Sequence, residues 1–155
     1  MVVVLYHVET YPGVGVDRVL LDYLIGHMYG YQQVIIDPEE RWDRRDEQFP
    51  LILRSLEEAR SSVLLRGLKW VYLQADAEQT LQEYQHPDDD VIYCVGSDVT
   101  GLGPVPEGVQ GLRVAIPDPD EELGQARQFF AMLVIPAVLH DRAYKQWQRR
   151  HLPTT

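Results

Sequence analysis

Two runs constrain this chain most: Val2-Val3-Val4-Leu5-Tyr6-His7 at its start and Val91-Ile92-Tyr93-Cys94-Val95 past its middle. Both are unbroken stretches of β-branched, aliphatic and aromatic residues, without the polar alternation of a strand that has one wet face. Runs of this kind form strands covered on both faces, and such strands belong to mainly parallel sheets flanked by helices. Residues 33–36, 70–73 and 112–116 fit the same role. Between them lie helical patterns. Val16, Val19, Leu20, Tyr23, Leu24, His27 and Met28 recur at helical spacing, and Gly30 stands where a left-handed C-cap is needed. A second helix is predicted over 51–65, closed by Gly67, and a short one over 77–84. The last spans 121–139, bent or restarted near Pro136, which removes a backbone donor, and extends over 143–150. The alternation predicts one α/β domain over residues 1–155. It is a three-layer sandwich with a mainly parallel sheet and right-handed crossovers, ending in a basic helical tail at about 142–155.

Composition agrees with a packed core. The 155 residues are 45% hydrophobic, and a domain of that length buries about two-thirds of its unfolded surface. Its one cysteine, Cys94, cannot form an internal disulfide, so the chain suits a reducing compartment, with Cys94 as a small buried hydrophobe. Met1 to Leu5 is too short for a signal peptide, and no stretch reaches the ~20 apolar residues of a membrane span. A cytoplasmic, membrane-free protein is expected. The formal net charge of −10 weighs against nucleic-acid binding, because phosphate backbones repel acidic surfaces. The charge is uneven, however: Arg142, Lys145, Arg149 and Arg150 occur after residue 141 with no acid among them. Two readings of this tail stay open, an RNA contact or a solvated helix end that complements the helix dipole.

In open α/β sheets ligands bind beyond the carboxyl ends of strands. That rule selects residues 8–17, 37–48, 96–104 and 116–122. No GxxxxGK[ST] phosphate loop, CxxC, HExxH or GxSxG pattern occurs, so no metal site is expected and two common enzyme classes fall away. Gly13-Val14-Gly15-Val16-Asp17-Arg18 sits in a strand-to-helix turn, but Arg18 replaces the third glycine of a dinucleotide fingerprint. An arginine in the first turn of a helix opposes the dipole. It either pairs with Glu9, Asp17 or Asp22, or serves a ligand. Gly96-Ser97-Asp98-Val99-Thr100-Gly101-Leu102 follows a buried strand and offers glycines that let backbone approach a ligand closely. Asp118 or Asp120 in Pro117-Asp118-Pro119-Asp120-Glu121-Glu122-Leu123-Gly124 can cap the last helix.

Three features resemble the SPOUT methyltransferases. Val91 to Leu102 is similar to the family's glycine-acid-glycine second motif. Leu112-Arg113-Val114-Ala115-Ile116, a polar turn and a long apolar helix are similar to the third. The opening strand, Arg18 at the start of helix one, and Gly30 before Tyr31-Gln32-Gln33-Val34-Ile35-Ile36 complete the layout. It looks closest to the tRNA ribose 2′-O-methyltransferases. The resemblance implies a C-terminal trefoil knot, in which the last helix threads a loop formed near residues 75–100. It also implies a homodimer and S-adenosylmethionine held by Val95, Gly96, Ser97, Asp98, Gly101, Leu102, Ala115, Ile116, Glu122, Leu123 and Gly124. Arg18 becomes the catalytic arginine beside the ribose hydroxyl of a tRNA or other RNA. Apolar surface on the first helix (Leu20, Leu21, Leu24, Ile25) and the last (Phe129, Phe130, Met132, Leu133, Ile135) is expected at the dimer interface.

The chain departs from that pattern at Glu121-Glu122, where the family commonly has Asn or Ser. Carboxylates suit a sulfonium cation but repel an RNA phosphate. Two alternatives therefore stand beside the RNA methyltransferase: a catalytically silent relative that binds cofactor or protein, and a small-molecule or nucleotide-binding enzyme on another doubly wound α/β fold.

Overall fold

The computed structural model describes residues 1–7, 26–96, 102–116, 127–128 and 131–153. Six strands form one sheet: β1 (Val2–His7), β2 (Gln32–Ile36), β3 (Leu51–Leu53), β4 (Lys69–Leu73), β5 (Val91–Val95) and β6 (Gln110–Leu112). Their spatial order is β3-β2-β1-β5-β4-β6, and every pairing is parallel. A two-residue antiparallel pair, β7 (Ala115–Ile116) with β8 (Arg127–Gln128), stands apart from the sheet. The described part of helix α1 is residues 26–29. Helix α2 covers Leu56–Ser61, a 3-10 turn covers Val63–Leu65, and helix α3 covers Ala131–His151.

The period of two along each strand sorts the core into two layers. Val4, Tyr6, Ile35, Val71, Val91, Tyr93 and Val95 face the side packed by Val134, Ile135, Val138 and Leu139 of α3. Val3, Leu5, Val34, Ile36, Tyr72, Ile92 and Cys94 face the side packed by Ala59 of α2 and Leu65. This is the three-layer parallel sandwich expected from the two long apolar runs. Gly30 ends α1 as expected: its φ is +69° and its amide donates to the Gly26 carbonyl at 2.7 Å. Cys94 is fully buried, and that burial pushes its thiol pKa far above the usual range.

Three predicted elements fold differently. The helix predicted over 51–65 is a strand, a short helix and a 3-10 turn. Ser55 accepts from the Glu58 amide at 3.2 Å, and the Glu58 carboxylate accepts from the Arg54 amide at 2.9 Å. This cap starts α2 at Leu56 and leaves Leu51–Leu53 to pair with Val34–Ile36. Residues 77–84 form no helix. Their backbone pairs instead with the end of β6, the Arg113 amide donating to Gln79 O at 2.7 Å and the Leu81 amide to Arg113 O at 3.0 Å. The strand predicted over 112–116 is divided. Its first residue closes β6 in the parallel sheet, and Ala115–Ile116 turns away to pair with Arg127–Gln128. That pairing takes backbone groups a helix would need, so α3 begins at Ala131 and then runs unbroken through Pro136 and the predicted extension.

Ile135 is 1% exposed and packs within its own chain's core, so it is unavailable to a dimer interface. The other expected interface side chains lie outside the described ones. Ile135→Ala is expected to cost about 2–5 kcal/mol of stability, as truncations that leave core cavities do. Urea unfolding checks this, and a loss under about 0.5 kcal/mol, typical of surface sites, would contradict the packing.

Candidate functional site at the carboxyl rim of the sheet

Parallel pairing brings the carboxyl ends of four neighbouring strands to one level. Tyr6 lies opposite Val95, Val95 opposite Leu73, and Leu73 opposite Leu112. The rim is therefore built from the residues that follow: His7, Gly96, Gln74 and Arg113. Val95 is 3% exposed and Gly96 is buried. The segment after β6 leads within three residues to Ala115–Ile116. β4 stands between β5 and β6, so the ends of the strands that lead into the two candidate cofactor segments are two strand spacings apart, about 10 Å. That gap has the width of a small organic ligand.

Gln74 occupies the middle of the gap. Its amide donates to the Leu112 carbonyl at 3.0 Å, and its side-chain Nε2 donates to the Gly103 carbonyl at 2.5 Å. The side chain thus ties the segment that returns after β5 to the end of β4. Leu102 packs against the sheet layer that contains Ile92 and Cys94. β7 and β8 together close the chain around residues 117–126. Of the residues predicted to hold cofactor, Val95, Gly96, Leu102, Ala115 and Ile116 are described and lie at or just beyond this rim. Ser97, Asp98, Gly101, Glu122, Leu123 and Gly124 lie outside the described residues, as does Arg18. Gln74 is not among the residues the sequence singles out, since its role depends on the Gly103 carbonyl, remote in sequence. Its place immediately after a buried strand was the signal.

A cavity of about 600 Å³ opens beside the rim, lined by Asp76, Glu78, Gln79, Glu83, Gln110 and Gly111 among others. Its three carboxylates favour a cation over a phosphate. The loop after β2 is occupied with itself. Asp37 is fully buried and accepts from the amides of Arg41 and Trp42 at 3.1 and 2.9 Å and from Arg54 Nη1 at 3.0 Å. Among the described residues no group of three or more His, Cys, Asp or Glu is placed to hold a metal ion, and no helix is long and apolar enough to cross a membrane.

The basic tail does something other than either reading of it. Lys145 Nζ donates to the carbonyls of Leu81 and Tyr84 at 2.6 and 2.9 Å and pairs with Asp141 at 2.8 Å. Arg142, 6% exposed, donates to the carbonyls of Pro87 and Asp88, and Arg149 pairs with Asp88 at 2.7 Å. Three of the four tail cations therefore bind α3 to residues 81–88. Beneath them His86, 3% exposed, bonds through Nε2 to Asp141 at 2.8 Å and through Nδ1 to the Tyr93 hydroxyl at 2.7 Å. With Asp141 ionised, Nε2 carries the proton and Nδ1 accepts from Tyr93.

This chain matches no protein-family model and no curated protein sequence. Solved structures do match it. A structure concerned with the 2-OH methylation of C/U34 on tRNA aligns over 96% of this chain and 91% of its own, with a TM-score of 0.64 at 16% identity. The A. aeolicus TrmH/SpoU tRNA modifying enzyme aligns over 96% and 77%, with a TM-score of 0.66 at 10% identity. The SpoU methyltransferase AviRb from Streptomyces viridochromogenes, in complex with AdoMet, aligns over 94% of this chain and 57% of its own, with a TM-score of 0.63 at 14% identity. The fold is that of SPOUT methyltransferase structures. At these identities the likeness is one of architecture, and it removes the alternative of a different doubly wound fold. Against AviRb the chain spans little more than half the length.

Burial holds the pKa of His86 below its ordinary value, and the nearby Lys145 and Arg142 charges add to that, against the raising effect of Asp141. A histidine with a depressed folded pKa takes up its proton in the unfolded chain first. The stability it contributes is therefore present above the unfolded pKa, about 6.5, and is lost as pH falls below it. The free energy of unfolding is expected to drop between pH 7.5 and 5.5 more steeply in the wild type than in His86→Gln. Urea titrations at both pH values measure this, and equal slopes would contradict the neutral, buried assignment.

Proposed function

We propose that this chain is an S-adenosylmethionine-dependent RNA methyltransferase that acts on a ribose 2′-hydroxyl of tRNA, as a cytoplasmic homodimer. One observation carries the reading. The backbone aligns, over 96% of this chain and 91% of the other, with a structure concerned with 2-OH methylation of C/U34 on tRNA. In this reading the last helix threads a loop formed near residues 75–100.

The residues of the rim suit the cofactor. Buried Gly96 presents backbone without a side chain, Gln74 fixes the Gly103 carbonyl at the opposite lip, and the neighbouring carboxylates suit a positively charged sulfonium. Val95, Gly96, Ser97, Asp98, Gly101 and Leu102 are assigned to one side of the cofactor. Ala115, Ile116, Glu122, Leu123 and Gly124 are assigned to the other. Bound S-adenosylmethionine supplies an electrophilic methyl group. The chain's task is then positional: the ribose oxygen must lose its proton and lie in line with that methyl. Arg18 is assigned to the ribose and its phosphate.

A second reading, a silent relative that retains the fold, is favoured by one fact. The tail cations that offered an RNA contact on a chain of net charge −10 are mostly engaged within the chain.

Transfer of labelled methyl groups to bulk tRNA, followed by nucleoside digestion, separates the two. The wild type is expected to produce 2′-O-methylated nucleosides. Arg18→Ala is expected to abolish transfer and leave cofactor affinity within a few-fold, because it removes an interaction made in the transition state rather than in cofactor binding. Equal activity in both proteins removes Arg18 from the site, and no activity in either sinks the methyltransferase in favour of the silent relative.

A further inference from the structure

The outer face of α3 carries an ordered aromatic ladder. Tyr144 and Trp147 are 52% and 49% exposed. Their rings lie nearly parallel, 14° apart with centroids 6.1 Å apart, and Trp147 stacks in turn on His151 at 18° and 5.2 Å. Those separations are the offset kind, in which part of each ring face stays open. The ladder is also held in place. His151 Nδ1 donates to the Trp147 carbonyl at 2.9 Å, which fixes the imidazole. Helical spacing adds His140 and Arg150 to the same side, both exposed. No Asp or Glu occurs in the chain after Asp141, and Asp141 itself is turned to His86 and Lys145.

The charges on α3 are thus divided by direction. Arg142, Lys145 and Arg149 are bound to residues 81–88, whereas Arg150 has no ion pair among the described residues. A cation, two histidines and two broad rings make up a face without acids on a chain of net charge −10. Planar rings beside a cation match the two parts of a nucleotide, a base with a π face and a phosphate. A second copy fits less well. A two-fold contact through this face would set the same cations against one another and offers no acid to pair them.

We infer that the Tyr144–Trp147–His151 face of α3 is a stacking platform for unpaired bases of the RNA, with Arg150 placed for an adjoining phosphate. The inference rests on the RNA reading above and extends it, because this surface is separate from the carboxyl rim where methyl transfer is placed. It commits to single-stranded nucleotides, such as a loop, since bases inside a duplex have no free face to stack.

The test is fluorescence anisotropy with a labelled single-stranded RNA dodecamer and with a blunt RNA duplex. Wild type, Trp147→Ala, Tyr144→Ala and Arg150→Gln are compared, with light scattering on each protein. Stacking on one ring is worth about 1–3 kcal/mol per base, so Trp147→Ala should weaken single-strand binding about 5- to 150-fold. Duplex binding and thermal melting should change little, and Arg150→Gln should flatten the salt dependence. Wild-type binding that survives Trp147→Ala and Tyr144→Ala unchanged overturns the platform and leaves the methyltransferase reading intact. A wild-type dimer that both aromatic variants turn into monomers overturns it in favour of a second copy. If the wild type binds single strands through this face but transfers no methyl group to tRNA, the platform stands and the enzymatic reading falls.

Discussion

β5 is paired on both flanks along its whole length, to Val2–Tyr6 of β1 and to Lys69–Leu73 of β4, and all five of its side chains are buried. A strand in that position must lack polar side chains on both faces, and Val-Ile-Tyr-Cys-Val meets the demand. Its insertion has a topological consequence. The chain has already laid down β1, β2 and β3 to one side and β4 to the other before β5 fills the slot between them. The rim residue Gly96 therefore emerges in the middle of the sheet, flanked by His7 and Gln74, rather than at an edge. Everything proposed for the cofactor follows from that placement.

The packing of α3 beyond the core is organised by charge. α3 covers one face of the sheet with Val134, Ile135, Val138 and Leu139, and its second half continues past the core. What steadies that overhang is a set of cations reaching carbonyls at 81–88, a segment that forms no helix. Hydrogen bonds from charged donors are stronger than neutral ones. The arrangement explains how an acidic chain can carry a basic terminus with three of its four cations engaged within the chain, and it separates the aromatic side of the helix from the side of those three cations.

Legibility in the sequence followed burial. Val2–His7 and Val91–Val95 were read to the residue, because a strand buried on both faces has few substitutes. Where an apolar run was short the period could not decide. Leu51-Ile52-Leu53 fits a helix as well as a strand, and the Ser55–Glu58 cap just after it was the overlooked marker. Ala77 to Tyr84 has good helix formers, yet pairing with Arg113 and capture of its carbonyls by Lys145 override propensity. Both partners are remote in sequence, which no local reading detects. At the site, Val95 and Gly96 were found through the buried strand they end. Gln74 was not, since its role depends on Gly103, 29 residues away.

The central claim is that the carboxyl rim of this SPOUT-like sheet binds S-adenosylmethionine. Isothermal titration calorimetry of the purified chain with S-adenosylmethionine and with S-adenosylhomocysteine tests it without assuming any RNA. The account predicts saturable binding of both at one site per chain, weakened about 2- to 10-fold by Gln74→Ala, the change expected for one net hydrogen bond of about 0.5–1.5 kcal/mol. Absence of saturable heat with either compound, at protein concentrations of about 100 μM that detect Kd values approaching 1 mM, would contradict it.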